Sequence, residues 1–183
     1  MLVFDASTLI LLAKSELLDI FLDDFQGTPL IPGAVRAECT EGSSRPDGLL
    51  IRQRIQEGRL TVQEIQQQKV LSRLLQDFRL GLGEAEALVL ALEIGDAAIV
   101  ATDDRNAIRA CKMLRLGFVT SLGILARAVD KGLLKPADGA RFLERLRVYG
   151  RFRTEIIEEV SRQIGGTAHG ESSEDRQHPA GSG

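Results

Sequence analysis

A chain of 183 residues with 44% hydrophobic content is long enough to bury one domain-sized core and does not have the composition of a disordered chain. A formal charge of −3 makes no global electrostatic case for nucleic acid, although a local basic face can still provide one. Two cysteines without metal-ligand spacing, no run near the roughly 18 apolar residues of a membrane span, and no basic stretch at the N-terminus predict a reduced cytoplasmic protein with no signal peptide.

Leu2-Val3-Phe4 is an apolar run that stops at Asp5, and it reads as a buried strand of a parallel sheet. Residues 7–13 are apolar nearly all round and predict a buried helix. Ser15 is placed to cap a second helix that carries Leu17, Leu18, Phe21, Leu22 and Phe25 on one face and closes at Gly27. A short strand over 28–31 meets Pro32, which suits the start of a helix over 33–40. Residues 41–47 have loop composition. Helices follow over 48–57 and 62–78, with a weak strand candidate at 60–62. Gly81 and Gly83 break the pattern before a high-propensity helix over 84–94.

Residues 98–102 form the next strand, ending at Asp103-Asp104, and Asp104 can cap a helix over 105–116. A strand over 117–119 and a helix over 122–131 capped by Ser121 complete a core of residues 1–134. A helix over 136–149, with 152–164 either extending it or forming a separate arm, makes a C-terminal extension, 135–164. From 165 onward no apolar pattern remains, which predicts a disordered tail that contains both histidines, His169 and His178. Strands alternating with helices define an α/β fold with a mainly parallel sheet.

Ligands of such sheets bind outside the carboxyl ends of the strands. Asp5, Asp103 and Asp104 lie at those ends, and Glu84 and Glu86 at a helix start would reach the same rim. Glu38 stands on a helix. Asp96, on the turn before a strand, belongs to the opposite rim and serves as a control. Each acid has a plainer explanation as a helix cap, a first-turn charge or a solvated side chain. Together they repel, and clustered carboxylates either take up protons or bind cations. Oxygen donors without histidine or cysteine select hard ions such as Mg²⁺ or Mn²⁺, which suit phosphate chemistry.

Four pieces in register, Asp5-Ala6-Ser7, Glu38 after Leu30-Ile31-Pro32, Gly81-Leu82-Gly83-Glu84-Ala85-Glu86-Ala87, and Thr102-Asp103-Asp104-Arg105, resemble the PIN domain, and most closely its VapC-like toxin branch. The resemblance covers about residues 1–134. It implies a three-layer α/β/α sandwich and a Mg²⁺-dependent ribonuclease, commonly a homodimer held inactive by a protein antitoxin. Position by position, Asp5, Glu38, Glu86 and Asp104 match the family's acids, with Glu84 and Asp103 as second choices. Ser7 and Thr102 supply hydroxyl groups beside them.

Two basic runs are candidates for RNA contact: Arg105 and Arg109, with Lys112 and Arg115, and then Arg141 and Arg145, with Arg147, Arg151 and Arg153. The plainer reading of the second run is a solvated face paired with Glu144 and Glu155. Aromatic content of 4% argues against extensive base stacking. Two rivals remain. A haloacid-dehalogenase-like phosphatase expects a second Asp where Ser7 stands. A non-enzymatic PIN-like module would use its helices to bind a partner.

Overall fold

The computed structural model describes residues 1–166. Five short strands, β1 (Leu2–Phe4), β2 (Pro29–Ile31), β3 (Thr61–Val62), β4 (Ile99–Ala101) and β5 (Gly117–Val119), form one parallel sheet in the order β3-β2-β1-β4-β5. The helices are α1 (Ala6–Lys14), α2 (Leu18–Asp24), α3 (Gly33–Thr40), α4 (Pro46–Gln56) and α5 (Gln68–Phe78) in the first half. In the second half they are α6 (Leu82–Ile94), α7 (Arg105–Leu114), α8 (Ser121–Asp130), α9 (Pro136–Tyr149) and α10 (Thr154–Gly166).

Side chains of a strand alternate between faces, and β1 feeds two cores in this way. Leu2 and Phe4 join Ile31, Ala101 and the apolar faces of α1, α8 and α9. Val3 joins Leu30, Val100 and the faces of α5, α6 and α7. The sheet is thus the middle layer of an α/β/α sandwich. Strand order reverses beside β1: β2 and β3 lie to one side, β4 and β5 to the other. Parallel sheets present a crevice at such a reversal, at the carboxyl ends of the two central strands.

The helices past residue 134 share this core. Phe142, Leu143 and Leu146 of α9 and Ile164 of α10 are buried with Leu9, Leu12 and Leu125. Gly139 allows the close approach, because a Cβ there would stand 2.6 Å from Val129 Cγ2 on α8.

Several boundaries differ from the sequence-based expectation, each for a local reason. Ser15 ends α1 instead of capping α2, since its N–H and hydroxyl both donate to the Leu11 carbonyl, at 3.0 and 2.7 Å. Helix α4 begins at Pro46, inside the expected loop, with the proline in its first turn. Helix α5 begins six residues later than expected. Gln63 N–H donates to Ile31 O, and the N–H groups of Gln66 and Gln67 donate to Glu93 Oε1 on α6, so the Gln-rich stretch has partners outside a helix. Thr120, not Ser121, caps α8, accepting from Gly123 N–H at 3.1 Å. Residues 165 and 166 complete α10; the rest of the expected tail, with His169 and His178, lies outside the described residues. Cys39 and Cys111 are free and buried, as expected. No helix among the described residues is long and apolar enough to cross a membrane.

Leu146 is fully buried on α9. Leu146→Ala is expected to cost about 2–5 kcal/mol of global stability. Urea denaturation should show this as a lower midpoint of a single transition, because α9 unfolds with the sandwich and not before it.

Candidate active site

Asp5 ends β1 and begins α1. Its side chain is the helix N-cap: Oδ1 accepts from Thr8 N–H at 2.7 Å and from the Ser7 hydroxyl at 3.2 Å. This is the plain capping role, and it locks the side chain in place. The residue is fully buried, yet Oδ2 has no hydrogen-bonded partner. Burial disfavours the charged form and pushes the carboxyl from its ordinary 3.8 up to about 6. The hydroxyl groups of Thr102 and Thr8 oppose that rise, and the charge of Asp103 adds to it.

Beyond β4 the chain places two more acids. Asp103 is held on both oxygens: Oδ2 accepts from the Thr8 hydroxyl at 3.1 Å and Oδ1 from Ser121 N–H at 3.1 Å. Its own N–H donates back to Thr8 Oγ1 at 2.9 Å. Burial raises its pKa as well. Asp104 caps α7, with Oδ1 accepting from the N–H groups of Asn106 and Ala107 at 2.7 and 2.9 Å. Both of its bonds use the same oxygen. Thr102 Oγ1 accepts from Asp104 N–H at 3.2 Å, so this hydroxyl steadies the turn.

The remaining acids come from two helices that pack together. Glu38 projects from α3 and is exposed. Gly83, buried in the first turn of α6, makes room for it: a Cβ there would meet Glu38 Oε2 at 3.4 Å and Val35 Cγ2 at 3.3 Å. Glu84 is half-buried, and its Oε2 accepts from Gly81 N–H at 2.6 Å. Its pKa is raised, first by burial and then by repulsion from Asp104 and Glu38. That repulsion places Glu84 within the field of both other carboxylates. Glu86 makes a single hydrogen bond across to the neighbouring helix, its Oε2 accepting from Ala34 N–H at the start of α3, at 2.8 Å. Glu84 thus lies in the field of Glu38 and Asp104, and Glu86 meets the start of the helix that carries Glu38.

Ser7 and Thr102 both stand next to the acids as hydroxyl donors or acceptors. The sequence reading missed Thr8, which is buried and joins the end of β1 to the end of β4 through Asp103. Its signal was its spacing: an N-cap acid uses the N–H three residues on, and that residue's side chain shares the crowded turn. Asp96 precedes β4 and falls on the opposite rim, as the control requires.

Arg105 and Arg109 extend along α7 from the acidic turn and are exposed. The other basic pair is committed differently. Arg141 pairs with Asp138 at 2.8 Å, and Arg145 pairs with Glu16, past the end of α1 that lies away from Asp5. Helix α1 is roughly 13 Å long at 1.5 Å per residue, which separates that contact from the acids.

The donor set fits a hard divalent ion by chemistry. It is all oxygen, it includes a buried carboxylate oxygen without a partner, and its members raise one another's proton affinity. As placed, no group of three acidic, histidine or cysteine side chains among the described residues is close enough to hold a metal ion.

Sheet order, the acids at the strand reversal and the α/β/α layering define a parallel α/β domain with an acidic rim. The sequence model of the PIN domain matches residues 1–165, and the chain belongs to that family. PIN domains are in general nucleases, that is, hydrolases of phosphodiester bonds. No curated protein matches the chain.

A carboxyl whose pKa is higher in the folded chain than in the unfolded one stabilises the fold fully below the unfolded value, and that contribution is lost as pH rises through the folded value. For Asp5 the window runs from about 4 to about 6. Without divalent ions, wild-type stability should therefore fall relative to Asp5→Asn by up to about 3 kcal/mol between pH 4 and pH 8. Parallel denaturation series at several pH values check this, whatever constant offset the amide introduces.

Proposed function

We propose that the protein is a divalent-metal-dependent ribonuclease. Asp5, Glu38, Glu84 and Asp104 would hold Mg²⁺ or Mn²⁺, and Asp103 would act as the anchored acid behind them. The observation that carries this reading is the buried Asp5 carboxylate, whose Oδ2 lacks a partner at the carboxyl-end crevice. A bound Mg²⁺ or Mn²⁺ supplies positive charge that polarises a phosphoryl oxygen and makes a nearby water more acidic.

The chain's own residues do the rest. Thr8 N–H and the Ser7 hydroxyl fix Asp5 through Oδ1, which leaves Oδ2 to carry or release a proton near neutral pH. Asp104, fixed through Oδ1 by the α7 amides, keeps its second oxygen for the site. Arg105 and Arg109 offer cations to flanking phosphates. Arg141 and Arg145 are left out of the RNA contact, because each has a carboxylate partner of its own.

The finer reading is a VapC-like toxin, with RNA as substrate, a protein antitoxin as partner and a homodimer as the working form. It is supported by the four motifs in register along the chain. The native mass of protein purified from its own cells tests the partner: a heteromeric complex is expected, and a lone monomer would remove this finer reading.

Cleavage of a mixed RNA pool should require Mg²⁺ or Mn²⁺ and stop with EDTA. Asp5→Asn should lower the rate on the order of 10²–10³-fold, the usual effect of losing a group that organises transition-state charge. Unchanged cleavage in Asp5→Asn, or full activity in EDTA, would refute the metal-dependent mechanism. Arg105→Ala with Arg109→Ala should weaken RNA binding and lower its salt slope by about 1–2, whereas Arg141→Ala with Arg145→Ala should leave both unchanged.

A further inference from the structure

Helix α3 begins without a cap of its own. Pro32 stands at the N-cap position, its carbonyl accepts from Arg36 N–H at 3.0 Å, and it has no side-chain acceptor to offer the first amides. Uncapped first-turn N–H groups are unsatisfied unless another element reaches them. Glu86 does this from α6, with Oε2 at 2.8 Å from Ala34 N–H. The Glu64 carboxylate lies against Gly33, where a Cβ would stand 2.5 Å from its Oε2, but it accepts no hydrogen bond from α3. Ala34 therefore depends on Glu86.

The bond sets more than a helix end. Ala34 and Glu38 are four residues apart and lie one above the other on α3; Gly83 and Glu86 are three apart and do the same on α6. The two helices thus meet at two rungs running in opposite senses. At one rung Glu38 lies against Gly83, and at the other Glu86 holds Ala34. A helix sliding along its neighbour would move both rungs together.

From this we infer that Glu86 is a positioning residue that pins the register of α3 against α6 and so sets Glu38 beside Glu84, without itself holding the metal. The inference rests on the metal-dependent reading for its effect on the site, but the Glu86–Ala34 bond can be tested apart from it. The charge of Glu86 is dispensable for this role and its acceptor oxygen is not. Glutamine keeps an acceptor, whereas leucine keeps the approximate size and loses it.

Mn²⁺ binding followed by titration, together with amide exchange at Ala34, separates the possibilities in the full chain. Glu86→Gln should keep Mn²⁺ affinity and Ala34 protection close to wild type. Glu86→Leu should speed exchange at Ala34 and weaken Mn²⁺ binding by about 10-fold or more, as loss of an orienting partner does. Glu84→Gln should weaken Mn²⁺ binding and leave Ala34 protected. The inference is overturned if Glu86→Gln weakens Mn²⁺ binding as much as Glu84→Gln, which would make Glu86 a ligand. It is equally overturned if Glu86→Leu leaves Ala34 protection unchanged. If Asp5→Asn and Glu84→Gln both bind Mn²⁺ like wild type, the metal reading fails instead. The exchange at Ala34 still decides whether Glu86 holds α3.

Discussion

The burial of the Asp5 carboxylate is the constraint around which this molecule is built. A carboxylate taken out of water is disfavoured unless it is hydrogen-bonded, paired or protonated, and Asp5 satisfies only half of that requirement. The satisfied half is structural, because Oδ1 begins α1 through Thr8 N–H. Thr8 then reaches across to Asp103, so the turn after β1 and the turn after β4 hold each other. The unsatisfied half is chemical. It leaves a partnerless anionic oxygen at the strand-order reversal, where the fold opens a crevice.

The same division of labour recurs around the rim. Asp104 caps α7 through one oxygen, and Glu84 accepts from the Gly81 amide through one of its own. Helix caps and site acids are therefore not competing explanations. A cap immobilises a side chain whose second oxygen remains available, and immobilised donors are what a metal or phosphate site needs. Removing the whole side chain at these positions would thus mix a loss of helix stability with a loss of chemistry, whereas the amide keeps the cap.

Much of this could be read from the sequence because acids ended apolar runs. The strand over 117–119 and the helices over 33–40 and 136–149 were bounded correctly, since glycine, proline and helical spacing marked them without ambiguity. The Glu86–Ala34 bond could not be read, because its cause, the missing side-chain cap at Pro32, lies on a different helix. The Arg145–Glu16 pair could not be read either, because Glu16 is remote in sequence and nothing local to Arg145 announces it.

The register of the central strands bears on how the chain reaches this state. Leu2 pairs with Ile99, and Phe4 with Ala101, so the first strand in the chain waits for one made nearly a hundred residues later. Closing so long a loop costs entropy before any contact compensates for it, and folds dominated by such pairs form slowly. The Thr8–Asp103 bonds cross the same divide, so the two ends of the site exist together only where this long-range pairing is made.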